Sequence, residues 1–153
     1  TYCRKGRYIV LEEKNIRLVK ILLVERKEKV EQDIFQSLRE LKILNTIHVV
    51  RSRYEALEYL RQVGKYWDRP KPDIVMADCD LPGNCCEGLL FEMRNDPALC
   101  YIPILFITSQ GESVPFETSD YMARFVEKPF SGSNILEALM SFDRFGMAVV
   151  KAE

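Results

Sequence analysis

The sequence predicts an α/β domain with a doubly wound five-stranded parallel sheet, and two observations carry that prediction. Five short apolar runs alternate with segments whose apolar residues recur at helical spacing. The runs are also continuous rather than alternating with polar residues, which is typical of strands buried on both faces. The 153 residues suffice for one such core. We therefore expect right-handed crossovers and a functional site beyond the carboxyl ends of the strands.

From residue 19 onward, short apolar segments define the strands. The predicted strands, in order, are Val19–Val24, Thr46–Val50, Pro72–Asp78, Ile102–Ile107 and Ala123–Val126. Each ends at or just before a charged or polar residue, which is the pattern of a buried strand that reaches the edge of a core.

Apolar residues at helical spacing define the helices between these strands. The predicted helices are Glu28–Lys42, Tyr54–Val63, Cys86–Arg94 and Ser131–Phe142. Their predicted inward residues are Val30, Ile34, Leu38 and Leu41, then Leu57, Leu60 and Val63, then Leu89, Leu90 and Met93, and finally Ile135, Leu136, Leu139 and Met140. Residues 111–122 are only weakly helical, because Gly111 and Pro115 interrupt them.

The two ends of the chain stand apart from this repeat. We expect an N-terminal extension over residues 1–17, one domain over residues 18–143 and a C-terminal tail over residues 144–153. Within the extension, Tyr8–Leu11 is a candidate strand. The tail is a candidate edge strand or an outward extension.

Composition and charge argue against several classes of function. Lys and Arg number 22 against 23 Asp and Glu, so no basic excess favours nucleic acid. No apolar run approaches the roughly 18 residues that cross a membrane, and the N-terminus lacks the apolar core of a signal peptide, so we expect a cytoplasmic protein. The five cysteines lack a metal-site spacing and His48 is the only histidine, which favours reduced thiols. Cys79, Cys85 and Cys86 gather near one strand end and permit a redox-sensing hypothesis.

Reactive side chains follow or end four of the predicted strands. Glu25 and Arg26 come after the first strand, Asp78 ends the third, Thr108 follows the fourth and Lys128 lies just beyond the fifth. A lone Asp at a strand end is usually a turn or cap residue. Asp78 is distinguished from that case by its combination with Thr108 and Lys128, each at its own strand end, because a parallel sheet gathers such ends at one edge.

These positions resemble a known family. An acidic residue after the first strand, DCDLP at the third, ITS at the fourth and KPF after the fifth resemble a response-regulator receiver domain of two-component signalling. The resemblance covers about residues 19–142 and implies a flavodoxin-like (βα)5 fold. The loop YWDRPKPD before the third strand is similar to that of stand-alone receivers that partner phytochrome-type histidine kinases.

The resemblance implies a role for each position that handles the phosphoryl group. Asp78 matches the phosphoacceptor, which attacks the phosphorus of a kinase phosphohistidine. Lys128 matches the lysine that pairs with the phosphoryl group, and Thr108 matches the hydroxyl that moves toward it. Phe125 matches the aromatic switch residue that then turns inward. The bond between Lys128 and Pro129 is expected to be cis, as in the family.

The same resemblance implies a Mg²⁺ site, with one departure from the family pattern. Glu25, Asp78 and Asp80 match the metal-binding positions, Asp80 through its backbone carbonyl. Receivers carry two adjacent carboxylates after the first strand, whereas Arg26 stands at the second position here. Glu25, Arg26, Asp78 and Lys128 then sum to zero charge, which opposes a divalent cation unless the Asp80 side chain turns inward. Arg26 either forks onto Asp78 in place of the ion, or points to solvent and leaves weak metal binding at Glu25.

The function that the resemblance implies is that of a single-domain response regulator. It would accept a phosphoryl group from a sensor histidine kinase and dock a downstream protein or a second copy. The docking face would be that of the fourth helix (the weakly helical residues 111–122), the fifth strand (Ala123–Val126) and the fifth helix (Ser131–Phe142). No enzyme activity beyond self-phosphorylation and autodephosphorylation is implied, and neither nucleic acid nor membrane is a partner. A second departure, Cys85-Cys86 in place of the usual Asp-Gly, predicts a differently shaped loop beside the site.

Two alternatives remain open. A degenerate receiver would act as a phosphorylation-independent interaction module, and Arg26 is the residue that favours it. A haloacid-dehalogenase-like phosphatase also uses an aspartate nucleophile in a DxD motif. In that family the DxD strand begins the domain and a late acidic pair binds magnesium, whereas Asp78 is mid-chain and no acidic pair follows Lys128.

Overall fold

A five-stranded parallel sheet forms the centre of the protein in the computed structural model. The structure describes residues 3–5, 8–10, 19–41, 45–80, 85–109, 122–128, 132–142 and 149–151. The strands are β1 (Cys3–Lys5), β2 (Tyr8–Val10), β3 (Val19–Val24), β4 (Asn45–Val50), β5 (Ile74–Asp78), β6 (Ile104–Thr108), β7 (Ala123–Glu127) and β8 (Val149–Lys151). The parallel sheet has the order β4-β3-β5-β6-β7. This order confirms the predicted doubly wound, flavodoxin-like fold.

Four α-helices connect or follow these strands within the described residues, beside a short 3-10 helix at Gly64–Tyr66. They are α1 (Glu28–Leu41), α2 (Arg53–Leu60), α3 (Cys85–Arg94) and α4 (Gly132–Met140). α2 begins at Ser52, whose side chain accepts a hydrogen bond from the backbone N–H of Glu55 at 3.1 Å. It ends three residues earlier than predicted, because the backbone turns left-handed at Gln62 and at Gly64. Val63 is therefore 48% exposed, and its predicted inward position is wrong.

The strands alternate their side chains between two apolar cores, one on each face of the sheet. On one face, Leu22, Val75 and Phe106 pack with residues of α2 and α3. On the other face, Leu23 and Met76 pack with residues of α1 and α4. The helical residues predicted to point inward and found buried are Ile34, Leu38, Leu57, Leu60, Leu89, Leu90, Met93, Ile135 and Leu139. Both faces are thus covered, which explains why the central strands β5 and β6 are apolar up to their last residue.

A second, smaller sheet joins the two ends of the chain. β1, β2 and β8 pair antiparallel in the order β1-β2-β8, with Tyr8 opposite Lys151. The strand predicted near Tyr8–Leu11 is confirmed, whereas β1 was not predicted. The tail strand pairs with β2, not with an edge of the parallel sheet. The weakly helical prediction for residues 111–122 lies, apart from Met122, outside the described residues.

The order in which successive strands join the sheet reverses between β3 and β5, and this reversal determines where the site lies. β4 pairs with one side of β3, and β5 pairs with the other. Loops that leave β3 and β5 therefore diverge and open a crevice at the carboxyl edge of the sheet. No helix among the described residues is long and apolar enough to span a bilayer.

Candidate functional site

A buried carboxylate occupies the centre of this crevice. Asp78, the last residue of β5, is only 1% exposed. Its Oδ1 accepts a hydrogen bond from the backbone N–H of Asp80 at 2.8 Å, which fixes the orientation of the carboxylate. Its Oδ2 accepts one from Lys128 Nζ at 2.9 Å. Lys128 follows β7 and reaches across the end of β6, so the predicted convergence of Asp78 and Lys128 is observed.

The side chain of Asp80 shares Lys128 with Asp78. Asp80 Oδ2 accepts hydrogen bonds from Ser109 Oγ at 2.6 Å and from Lys128 Nζ at 3.0 Å. The Ser109 hydrogen bond, and then Lys128, hold the pKa of Asp80 below its usual value despite partial burial. Burial lowers the pKa of Lys128, but the hydrogen bonds to the two carboxylates outweigh it and the pKa lies above its usual value. Asp80 is therefore a carboxylate and Lys128 an ammonium at neutral pH.

Glu25 brings a third carboxyl group to the crevice. Glu25 is 1% exposed and directly follows β3. Its Oε1 accepts a hydrogen bond from the backbone N–H of Lys27 at 2.9 Å. Burial, followed by contact with the Asp78 carboxylate, raises the pKa of Glu25 to about 7. When ionised, Glu25 Oε2 is buried without a hydrogen-bond partner among the described residues. When protonated, it can donate to Asp78, so the proton supplies the donor that two carboxylates lack.

Arg26 lies outside this arrangement. Its side chain is exposed, and the cation that pairs with Asp78 is Lys128. The fork of Arg26 onto Asp78 that the sequence suggested is therefore not formed, and the predicted neutral charge count is wrong. Glu25, Asp78 and Asp80 against Lys128 leave minus two when Glu25 is ionised, because the Asp80 side chain turns inward. Asp80 thus restores the negative charge that Arg26 removes from the family pattern.

The two predicted switch residues lie on β6 and β7, beside the crevice. Thr108 ends β6, is 7% exposed and donates its hydroxyl to the Val126 carbonyl at 3.4 Å. Phe125 is half-buried, and its ring lies 5.3 Å from that of Phe106. The predicted cis bond before Pro129 lies outside the described residues.

Of the three cysteines near the crevice, the structure describes the side chains of two. Cys79 is half-buried, and Cys86 is buried with its Sγ 4.0 Å from the Ala77 carbonyl. The side chain of Cys85 is outside the described part of the chain. Sequence reasoning missed Ser109, although a hydroxyl directly after the strand that ends in Thr108 is a signal that could have found it.

Comparison with solved structures identifies the fold. The structure is similar to the bacteriophytochrome response regulator AtBRR, with a TM-score of 0.69 and 26% sequence identity, over 84% of this chain and 94% of that chain. The chain has a receiver-domain fold. The receiver fold is also similar to the Mn²⁺-bound form of response regulator Rcp1, with a TM-score of 0.61 and 21% identity, over 80% of this chain and 92% of that chain.

A curated relative agrees with the structural match. Response regulator Rcp1 of Synechocystis is 28% identical over 89 residues, which are 58% of this chain and 60% of that protein. The match therefore spans less than two thirds of the relative. No family model matches the chain. Together these matches confirm the predicted resemblance to receivers of the phytochrome-partner type.

Proposed function

We propose that this protein is a response regulator that accepts a phosphoryl group on Asp78 from a histidine kinase and signals by docking another protein. The observation that carries this proposal is a buried aspartate at the switch point of the sheet, held by Lys128 Nζ at 2.9 Å. A carboxylate kept in one orientation beside an ammonium group suits attack on a phosphorus atom that carries negative oxygens.

The transfer itself balances without further reactants. An oxygen of Asp78 forms a bond to phosphorus while the bond between phosphorus and the kinase histidine breaks, and the histidine, which carries a proton on its other ring nitrogen, leaves as neutral imidazole. Lys128, released from one carboxylate oxygen, then neutralises the phosphoryl oxygens. The product is an acyl phosphate, which water hydrolyses readily, so the signal resets.

The donor set fits a divalent cation such as Mg²⁺. Glu25 and Asp78 present buried carboxylates side by side, and Glu25 Oε2 is an acceptor in need of a partner when ionised. The backbone carbonyl of Asp80 would complete the set, as in the family. Such a cation would supply additional positive charge for the phosphoryl oxygens. The surplus negative charge contributed by Asp80 supports binding, and the missing second acid keeps it weak.

The switch would follow from the same pocket. After phosphorylation, the Thr108 hydroxyl would exchange the Val126 carbonyl for a phosphoryl oxygen, and Phe125 would move into the space that this opens. Phe125 lies in β7 and Thr108 donates to a residue of β7, and this strand is part of the face expected to dock a partner or a second copy.

Removing the Asp80 charge is expected to weaken metal binding. The substitution Asp80→Asn removes one negative charge from a pocket whose net charge is minus two. The affinity for Mn²⁺ should therefore fall about fivefold, or about 1 kcal/mol. Isothermal titration calorimetry measures this. Asp33→Asn is the matched control, since Asp33 pairs with Lys29 on the exposed face of α1. An equal loss in both variants would mean that Asp80 acts only through net charge.

Adding a carboxylate at position 26 is expected to strengthen Mg²⁺ binding. Arg26→Asp restores the adjacent pair of acids after β3 and should tighten binding about tenfold by calorimetry, because a short aspartate that turns into the crevice adds a third carboxylate ligand, unlike the outward-pointing Arg26. Arg26→Gln removes the positive charge without adding a ligand, and the exposed position of Arg26 predicts little change. If Arg26→Asp leaves the affinity unchanged, residue 26 does not govern the pocket.

Phosphoryl transfer tests the proposed partner. A phytochrome-type histidine kinase, autophosphorylated with labelled ATP, should pass its label to the wild-type protein within minutes in the presence of Mg²⁺. Asp78→Asn should take up none. Label retained on the kinase, with acetyl phosphate still modifying the protein, would reject this class of kinase but keep the phosphoacceptor.

A further inference from the structure

The loop that carries Glu25 is closed by an arginine from a neighbouring strand. Arg51 follows β4, and its Nη1 donates hydrogen bonds to the Glu25 carbonyl at 3.0 Å and to Glu31 Oε2 at 2.8 Å. Glu31 lies in the first turn of α1, and its side chain is only 12% exposed. One guanidinium nitrogen therefore ties the end of β3 to the start of α1.

Two consecutive residues, Val50 and Arg51, hold the backbone N–H and carbonyl of Glu25. Its N–H donates to the Val50 carbonyl at 3.0 Å, and its carbonyl accepts from Arg51. The Glu25 side chain accepts from the Lys27 N–H at 2.9 Å, and the Glu31 N–H donates to the Lys27 carbonyl at 3.1 Å. With the ion pair between Arg51 and Glu31, these hydrogen bonds form a closed ring around residues 25–31.

We propose that Arg51 is a positioning residue for the phosphorylation site: by closing this ring, it holds the Glu25 carboxylate against Asp78 and keeps Arg26 outside the crevice. The hydrogen bonds and the ion pair that Arg51 forms with described residues go to Glu25 and Glu31, and not to Asp78 or Lys128. Arg51 therefore acts through the loop. The metal-binding consequence rests on the proposed function, while the structural consequence for the loop does not.

Two readouts separate these consequences. In Arg51→Met, which keeps the apolar stem and removes the donors, the affinity for Mn²⁺ should fall at least tenfold by calorimetry, as is usual when a partner that orients a ligand is lost. In the metal-free protein, the Lys27 amide should exchange with solvent about tenfold faster by NMR, because its acceptor on Glu25 is no longer fixed.

Matched variants keep the proposal falsifiable. Arg61→Met removes an arginine that pairs with Glu92 and Asp96 on the surface, and should change neither readout. Arg51→Lys, which keeps the charge and one donor group, should show a partial loss of about threefold and serves if Arg51→Met does not fold. Wild-type affinity and wild-type Lys27 exchange in either Arg51 variant would overturn the proposal. If the wild type binds no Mn²⁺, the proposed metal site fails, and the exchange rates alone still decide the role of Arg51.

Discussion

Glu25→Gln is expected to stabilise the metal-free protein by roughly 3 kcal/mol at pH 8.5. The pKa of Glu25 rises from its ordinary value of 4.5 to about 7 in the folded protein, so folding at high pH must ionise a buried acid beside Asp78. For an acid with a raised pKa, the stabilising effect of the proton is complete below pH 4.5 and is lost as pH rises through 7. Glutamine is neutral at every pH and can donate to Asp78. The stability advantage of Glu25→Gln therefore develops as the pH rises through 7.

Urea unfolding of both proteins in EDTA, at pH 4.5 and at pH 8.5, measures this difference. Glu25 interacts with Asp78, so the change in the difference with pH reports on the titration of this pair of carboxyl groups. Saturating Mn²⁺ should reverse the order at pH 8.5, because only the wild type gains a carboxylate ligand. A difference that does not change between the two pH values would contradict the proposed protonation of Glu25.

Lys128→Met is expected to have the opposite effect on the same pocket. The substitution keeps the stem of the side chain but leaves Asp78 and Asp80 without their ammonium partner. Breaking a buried ion pair costs about 3–5 kcal/mol, and the partial exposure of Lys128 reduces this to about 2 kcal/mol here. Metal-free Lys128→Met should therefore be less stable than wild type at pH 8, while its affinity for Mn²⁺ should rise about tenfold.

Lys29→Met is the matched control for Lys128→Met. Lys29 pairs with Asp33 at 2.8 Å, the same kind of contact, but its side chain is 83% exposed. We expect less than about 0.5 kcal/mol from its loss. If unfolding in urea shows equal effects for the two lysines, burial of Asp78 does not strengthen its ion pair with Lys128.

Most of the fold was predictable because burial on both faces leaves a strong signal. The strands Ile74–Asp78 and Ile104–Thr108 are buried throughout and apolar up to their last residue, where a polar side chain reaches the edge of the sheet. The end of α2 was harder to predict, since the apolar spacing continues to Val63 while the backbone turns left-handed at Gln62. That turn depends on the backbone beyond the helix and not on apolar spacing.

The candidate site was predictable in its members but not in its charge balance. Strand ends fixed the positions of Asp78, Thr108 and Lys128, because parallel strands deliver their carboxyl ends to one edge. The direction of a side chain in a loop is set by its hydrogen bonds, and these involve residues distant in sequence. The inward turn of Asp80 depends on Ser109, and the outward position of Arg26 accompanies the ring closed by Arg51.

Intact mass after incubation with acetyl phosphate and Mg²⁺ tests most directly whether Asp78 is a phosphoacceptor. The wild type should gain a species heavier by about 80 Da that Asp78→Asn lacks and that Asp80→Asn retains, with the Asp80 variant serving as the control for charge in the same pocket. No adduct on the wild type at any Mg²⁺ concentration, or an adduct that persists in Asp78→Asn, would contradict the assignment of Asp78.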